Sequence, residues 1–435
     1  MPTLEERRLI SRWSHRFGFG PKPGEFRALL DGGMDKAYEK LIDTTPSTLE
    51  MEVSQYLLNI QDLGDQPAPN SQQVVTYANE KRRQIRAITI WWLNMMTESA
   101  NPLSERMTWF WHGHWATSYQ KVDEPLLNLI QNFTLRRNAT GNFRQMCKEM
   151  VVDAALLFWL DGQTNTVKAP NENLARELME LFILGVDRYS ENDVKQSALA
   201  LTGYRLKKSS GIVTYRPDLH YSAPLTILGK TSSFDALTLT DFLVDQDNCA
   251  RFIIERLWYR FVSSSTPPPA DGSLQSAFQN RELASLIKAL AKHPSFNNPA
   301  HSQVKSPLEW LISSLRALNI ELDSLPNPDS VINGIDAMGQ KPFYPPNVGG
   351  WPADEAWLST ASAQTRISIA QYLVKFGDVT PISSVPTAQR VDAMADWLGI
   401  VNWSDRTRST LTNSLQDPTR LALLGLCSPE YVVNA

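Results

Sequence analysis

The chain predicts an all-α or mainly α fold, a multi-helix globular body with one small β-hairpin. Three observations lead there. Apolar residues recur at helical spacing along most of the 435 residues, as they do in helices that bury one face. Residues that cap helix starts stand in front of several of these stripes. Short Gly/Ser-rich and Pro-rich breaks separate them, and no run of roughly 20 apolar residues offers a transmembrane span. Hydrophobic residues form 42% of the chain, ample for a large helical body or two closely packed units.

In chain order, Thr3-Leu4-Glu5-Glu6 fits a capping box that opens a charged helix through Trp13. Ile85, Ile88, Trp92 and Met96 make one stripe, and Leu103, Met107, Phe110 and Trp111 make another that leads into His112 and His114. Phe143, Met146, Cys147, Met150 and Ala154 follow, which predicts a core role for Cys147. Ser190 with Asp193 resembles a second capping box. Tyr204–Lys207 and Ile212–Tyr215, separated by residues 208–211, read as the hairpin. The run from His220 to Lys230 reads as irregular. Residues 263–272, rich in Ser and Pro, stop the helix containing Trp258 and Phe261 and read as a linker between an N-terminal helical body, 1–262, and a C-terminal helical region, 273–435, packed on the first. Leu283, Leu286, Ile287 and Leu290 form a further stripe, Ser306-Pro307-Leu308-Glu309 starts a helix with proline at its first position, and Val391, Met394 and Leu398 end one at Gly399.

Charge and cysteines narrow the class. Lys plus Arg number 42 against 46 Asp plus Glu, a net charge of −4, so no global positive field draws the chain to nucleic acid or anionic membrane. Cys147, Cys249 and Cys427 are an odd, widely spaced set with no Cys-x-x-Cys pair, and they read as reduced thiols.

Two segments carry candidate chemistry. In the stretch from Pro170 to Gly185, Leu174, Leu178 and Leu181 are expected to face the core, while Asn173, Glu177 and Glu180 repeat the same spacing one position earlier and place two carboxylates together. In Trp109–Trp115, His112 and His114 flank Gly113. On an ideal helix their rings would lie about 200° apart, so joint ligation requires an extended or broken backbone there. Imidazoles and carboxylates suit zinc, iron or manganese, and His112, His114, Glu177 and Glu180 compose a candidate set for a divalent transition metal that activates water or binds oxygen. The alternative is structural. Arg176 and Glu180 are i, i+4 partners, Glu177 can pair with Arg136 or Arg137, and the histidines can cap helix ends while packing on Trp111 and Trp115. Gly18 and Gly20 read as turn residues, residues 345–352 as loop anchors or pocket lining, and Arg136, Arg137 and Arg144 as helix-terminal ion pairs rather than an anion site.

Those segments, with Arg16–Pro21, Leu135–Arg137, Gly141–Arg144, Leu199–Gly203, Pro345–Pro352 and Ser428–Tyr431, resemble the bacterial domain of unknown function 1800 family over nearly the whole chain. The resemblance implies little chemistry. Relatives show His-Asp where this chain has His220-Tyr221, which makes His220 a third imidazole candidate without its acidic neighbour, and they often carry Asn at the place of Gly113. Many relatives carry export signals. With no apolar leader after the early arginines, the cytoplasm is the expectation here. The combined reading is a metal-dependent hydrolase or oxygenase with Glu177, Glu180 and His220 as catalytic groups and Asn173 and Arg176 supporting them. The alternative is a noncatalytic helical scaffold or maturation partner, because such proteins are often encoded beside a sulfatase-like neighbour.

Overall fold

The computed structural model describes residues 2–45 and 60–434. Helices dominate, joined by short loops and three two-stranded sheets. The Thr3 capping box starts the helix Leu4–Arg12, and the boxes at Ser190 and Ser306 start Glu191–Ala200 and Pro307–Ala317. The residues of the stripes that predicted core helices, including Cys147, are buried, except Leu181 in the glutamate helix.

Two apolar clusters make up most of the core. One joins Ile10 and Phe17 to residues as far along as Phe296. The other joins Phe19 and the long helix Gln73–Glu98 to Leu308, Trp310 and Tyr431. Between them lies the helix Pro102–His114, in which every residue but Gly113 is buried. It is packed on both sides, and its Glu105 and Arg106 are paired inside the fold, with Arg136 and Glu309. Leu103, Met107, Phe110 and Trp111 join the first cluster, and Trp109 joins the second.

The hairpin forms as expected, with Tyr204 opposite Tyr215 and Lys207 opposite Ile212. The segment read as irregular is different. Leu225–Ile227 pairs with Lys230–Ser232 in a second hairpin, whose turn places Leu228 at φ 46° and Gly229 at φ 78°. Two consecutive positive φ angles suit the tight turn that joins twisted strands. Leucine at the first position is not a turn signal, which hid the hairpin. A third pair, Gln303–Val304 with Val433–Asn434, brings the end of the described chain beside the start of the Pro307–Ala317 helix. The Ser/Pro-rich segment is tied into the body: Trp258 Nε1 donates to the Thr266 carbonyl at 2.7 Å, and the Ser264 hydroxyl donates to Asp354. No helix among the described residues is long and apolar enough to cross a membrane.

Candidate functional site

The tryptophan-rich segment remains helical through His114, so the two imidazoles are not brought to one face. His112 packs against Trp92, Trp109, Phe343 and Trp351, and its Nε2 accepts the Phe343 N–H at 3.1 Å. His114 packs instead among Phe110, Trp111, Trp115 and Phe182, and its Nε2 donates to the Phe182 carbonyl at 2.9 Å. Burial pushes both rings down to about 3, helped for His114 by the nearby Arg256 charge, so both are neutral at physiological pH. The broken backbone that joint ligation requires is absent, because aromatic packing on both sides holds the last turn of the helix.

The glutamate helix also departs from its expected register. Asn173–Glu177 is α-helical, but Leu178–Ile183 is a π-helix, closed by the Leu184 N–H on the Met179 carbonyl, five residues back. Such widened turns shift the side-chain period. Met179, Phe182 and Ile183 are therefore buried, while Leu181 is only half-buried. Glu177 and Glu180 are half-buried neighbours, and burial together with the Glu180 charge raises the Glu177 carboxyl. Tyr189 donates its hydroxyl to Glu180, Arg176 pairs with Glu172 and Glu191, and exposed Asn173 reaches the Leu160 carbonyl at 3.4 Å. Arg136 and Arg137 pair elsewhere than expected, with Glu105 and Glu149.

His220 lies beside the first hairpin, its Nδ1 donating to the Thr202 carbonyl at 3.1 Å and its ring against Tyr215. Among the described residues no hydrogen bond or ion pair joins His112, His114 or His220 to Glu177 or Glu180. Nor does any group of three or more His, Cys, Asp and Glu side chains there stand together in a way that could hold a metal ion. The two expected segments do touch, through His114 and the Phe182 backbone.

What the tryptophan-rich helix does present to solvent is a cleft. Gly350, at φ 81°, runs so close to the helix end that a Cβ there would lie 2.1 Å from the Gly113 carbonyl oxygen. Only glycine at this position lets the 345–352 loop reach the helix. The contact seats Trp351 on Trp109, ring centroids 4.7 Å apart, and these two rings form one wall. The helix Asp247–Phe261 forms another wall, and its Arg256, Tyr259 and Arg260 face the cavity of ≈ 80 Å³. Tyr259, Arg260 and Ala353 also line a narrow inner recess of ≈ 20 Å³, bordered by Arg106, Lys305, Glu309 and Asp354.

The polar groups of this cleft are unevenly matched. Glu309 takes Arg106 and Arg260 on one oxygen and the Ser306 N–H on the other. Burial alone would raise this carboxyl, but the two guanidiniums hold it down at about 2. Asp354 accepts the Val304 N–H at 2.8 Å and the Ser264 hydroxyl. Both acids are thus occupied. Arg256 has no hydrogen bond or ion pair among the described residues, and its Nε is shut away from water. A guanidinium does not discharge by losing its proton in a protein, so burial leaves a cation in want of an anion.

These residues escaped the sequence reading for a physical reason. Arg256 and Arg260 sit at i, i+4 on the helix Asp247–Phe261, a spacing that puts two like charges on one face. That was the available signal. The acid of Arg260, Glu309, comes from a helix about 50 residues later and was legible only as a cap. The 345–352 loop was recognised, but its partner Gly113 was read as a helix breaker.

A family model described as "Protein of unknown function (DUF1800)" matches residues 12–433. The chain belongs to this family. No curated protein and no solved structure matches it. The DUF1800 match takes in the tryptophan-rich helix, the glutamate helix and the whole cationic cleft.

Proposed function

We propose that this DUF1800 protein binds a small anionic ligand in the cleft between Trp109, Trp351 and the Arg256–Arg260 face. The observation that carries this reading is Arg256, a half-buried guanidinium with its Nε shut away from water, which faces a cavity and has no hydrogen bond or ion pair among the described residues. Removing an unpaired cation from water is costly, and an anion seated against it would recover that energy through charge-assisted hydrogen bonds. The surroundings support the same sign. Arg106, Arg256 and Arg260 face the cleft against Glu309 and Asp354, in a chain whose net charge is −4. The Trp109 and Trp351 rings offer an apolar wall for the uncharged part of the ligand.

Titration calorimetry with inorganic phosphate and with lactate, on the wild type and on Arg256→Gln, tests the reading. Binding that weakens at least several-fold in the variant and with added salt is expected. Equal binding in both proteins, or none in the wild type, sinks it. The His/Glu metal reading lacks a comparable observation, because His112 Nε2 and His114 Nε2 are both committed to the backbone.

A further inference from the structure

Lys305 stands at the inner end of the cleft, immediately before Ser306, the N-cap of the helix Pro307–Ala317. It is 4% exposed, and its Nζ lies 3.8 Å from the centre of the Tyr431 ring. No hydrogen bond or ion pair reaches its amine among the described residues. The same side chain also lines a second recess, on the side of Gly399 and Ile400, so the amine lies between two cavities. Asn434 borders both recesses as well. It is 6% exposed, and neither its amide oxygen nor its amide nitrogen has a partner among the described residues. An unbonded amine and an unbonded carboxamide at the end of one cavity are two independent orphans in one place. Buried polar groups in native proteins are rarely left so.

We propose that Lys305 is a nucleophile that captures the carbonyl carbon of an anionic oxo compound, an oxo acid, as a Schiff base. The inference rests on the anion-binding reading above and names the ligand's chemistry. The amine lone pair forms the C–N bond while the C=O π pair takes a proton, giving a carbinolamine. The C–O bond then breaks and the oxygen leaves as water with the second amine proton, so amine plus ketone becomes imine plus water without any outside oxidant or reductant. The anionic group lies toward Arg256 and Arg260, and the Asn434 amide N–H donates to the carbonyl oxygen as it gathers charge.

A nucleophilic amine must be uncharged, and the surroundings of Lys305 favour that form. Burial lowers Lys305 well below the ordinary lysine range, opposed only in part by Glu309, which Arg106 and Arg260 already neutralise. The position before a helix N-terminus adds the positive end of the helix dipole, which disfavours an ammonium there. Buried His15 lines both recesses too, and burial lowers its imidazole well below the ordinary histidine range.

Incubating the full chain with pyruvate and borohydride, followed by peptide mass mapping, tests this directly, because reduction fixes the imine to the lysine that made it. The expected result is near-stoichiometric labelling of Lys305 that lactate, the same anion without the carbonyl, suppresses, and that disappears in Lys305→Arg. Lactate binding with no adduct at Lys305 overturns the Schiff base and leaves the anion site standing. Neither binding nor adduct overturns both. Labelling spread over surface lysines and insensitive to lactate overturns it as well, and the wild-type map stands even if the variant misfolds.

Discussion

Two arginines on different helices behave in opposite ways. Buried Arg136 meets Glu105, whose other oxygen accepts Trp92 Nε1 at 3.2 Å, and it also reaches Asn132 at 3.2 Å, all inside the core. Half-buried Arg256 lies against a cavity with no hydrogen bond or ion pair among the described residues. The difference separates framework from site. A buried charge whose partner is within the fold holds helices in place, whereas one left without a partner at a cavity wall points to something that arrives from outside. The histidines and glutamates that stand out in the sequence fall on the framework side for His112 and His114, whose rings serve the backbone.

The comparison can be broken most forcefully at Arg136. Arg136→Met leaves Glu105 buried and ionisable without its guanidinium, and a loss of about 3–5 kcal/mol in denaturant unfolding is expected. A change under about 1 kcal/mol would place Arg136 outside the framework. Gly350→Ala comes next. Its Cβ would collide with the Gly113 carbonyl at a positive φ, so the loop must move, at about 1–3 kcal/mol, and phosphate affinity should fall because Trp351 moves with it. Unchanged stability and affinity would show that this contact does not shape the cleft.

Acid titration sharpens the role of Glu309. Its folded pKa of about 2 lies below the ordinary glutamate value of about 4.5, so its contribution is fully present above about 4.5 and is lost as pH falls toward 2. Wild-type stability should therefore decline across that window, and Glu309→Gln should flatten the decline. An equally steep fall in the variant would assign the acid sensitivity to other carboxylates. Glu177→Gln should matter least among the acids. It removes a repulsion with Glu180 and breaks no hydrogen bond or ion pair among the described residues, so stability should change by no more than about 0.5 kcal/mol, read by thermal melting.

Most of the fold was legible because apolar period and caps are local signals. The stripes at 85–96, 103–111, 283–290 and 391–398 and the boxes at Thr3, Ser190 and Ser306 all lie within a few turns of chain. The second hairpin was hidden by Leu228, and the π-helix by the absence of any local pattern that distinguishes it from an α-helix. The cleft is a different kind of feature. The tryptophan-rich helix and the 345–352 loop both stood out, yet which of their residues meet solvent depends on Gly113 touching Gly350 across more than 200 residues. Arg256 looks like any charge on a helix until Glu309 is seen to be taken by Arg106 and Arg260.

The central claim is that Arg256 waits for an anion. Denaturant unfolding of the wild type and Arg256→Met, each with and without phosphate, tests it most directly, because the variant carries the same general salting effect of phosphate. Without phosphate the variant should be as stable as the wild type or slightly more so, since it loses an unpaired, half-buried cation. With phosphate at about 100 times its dissociation constant, the wild type alone should gain a further ~2.7 kcal/mol. An Arg256→Met protein that is several kcal/mol less stable without phosphate, or that gains as much from phosphate as the wild type, would contradict the account.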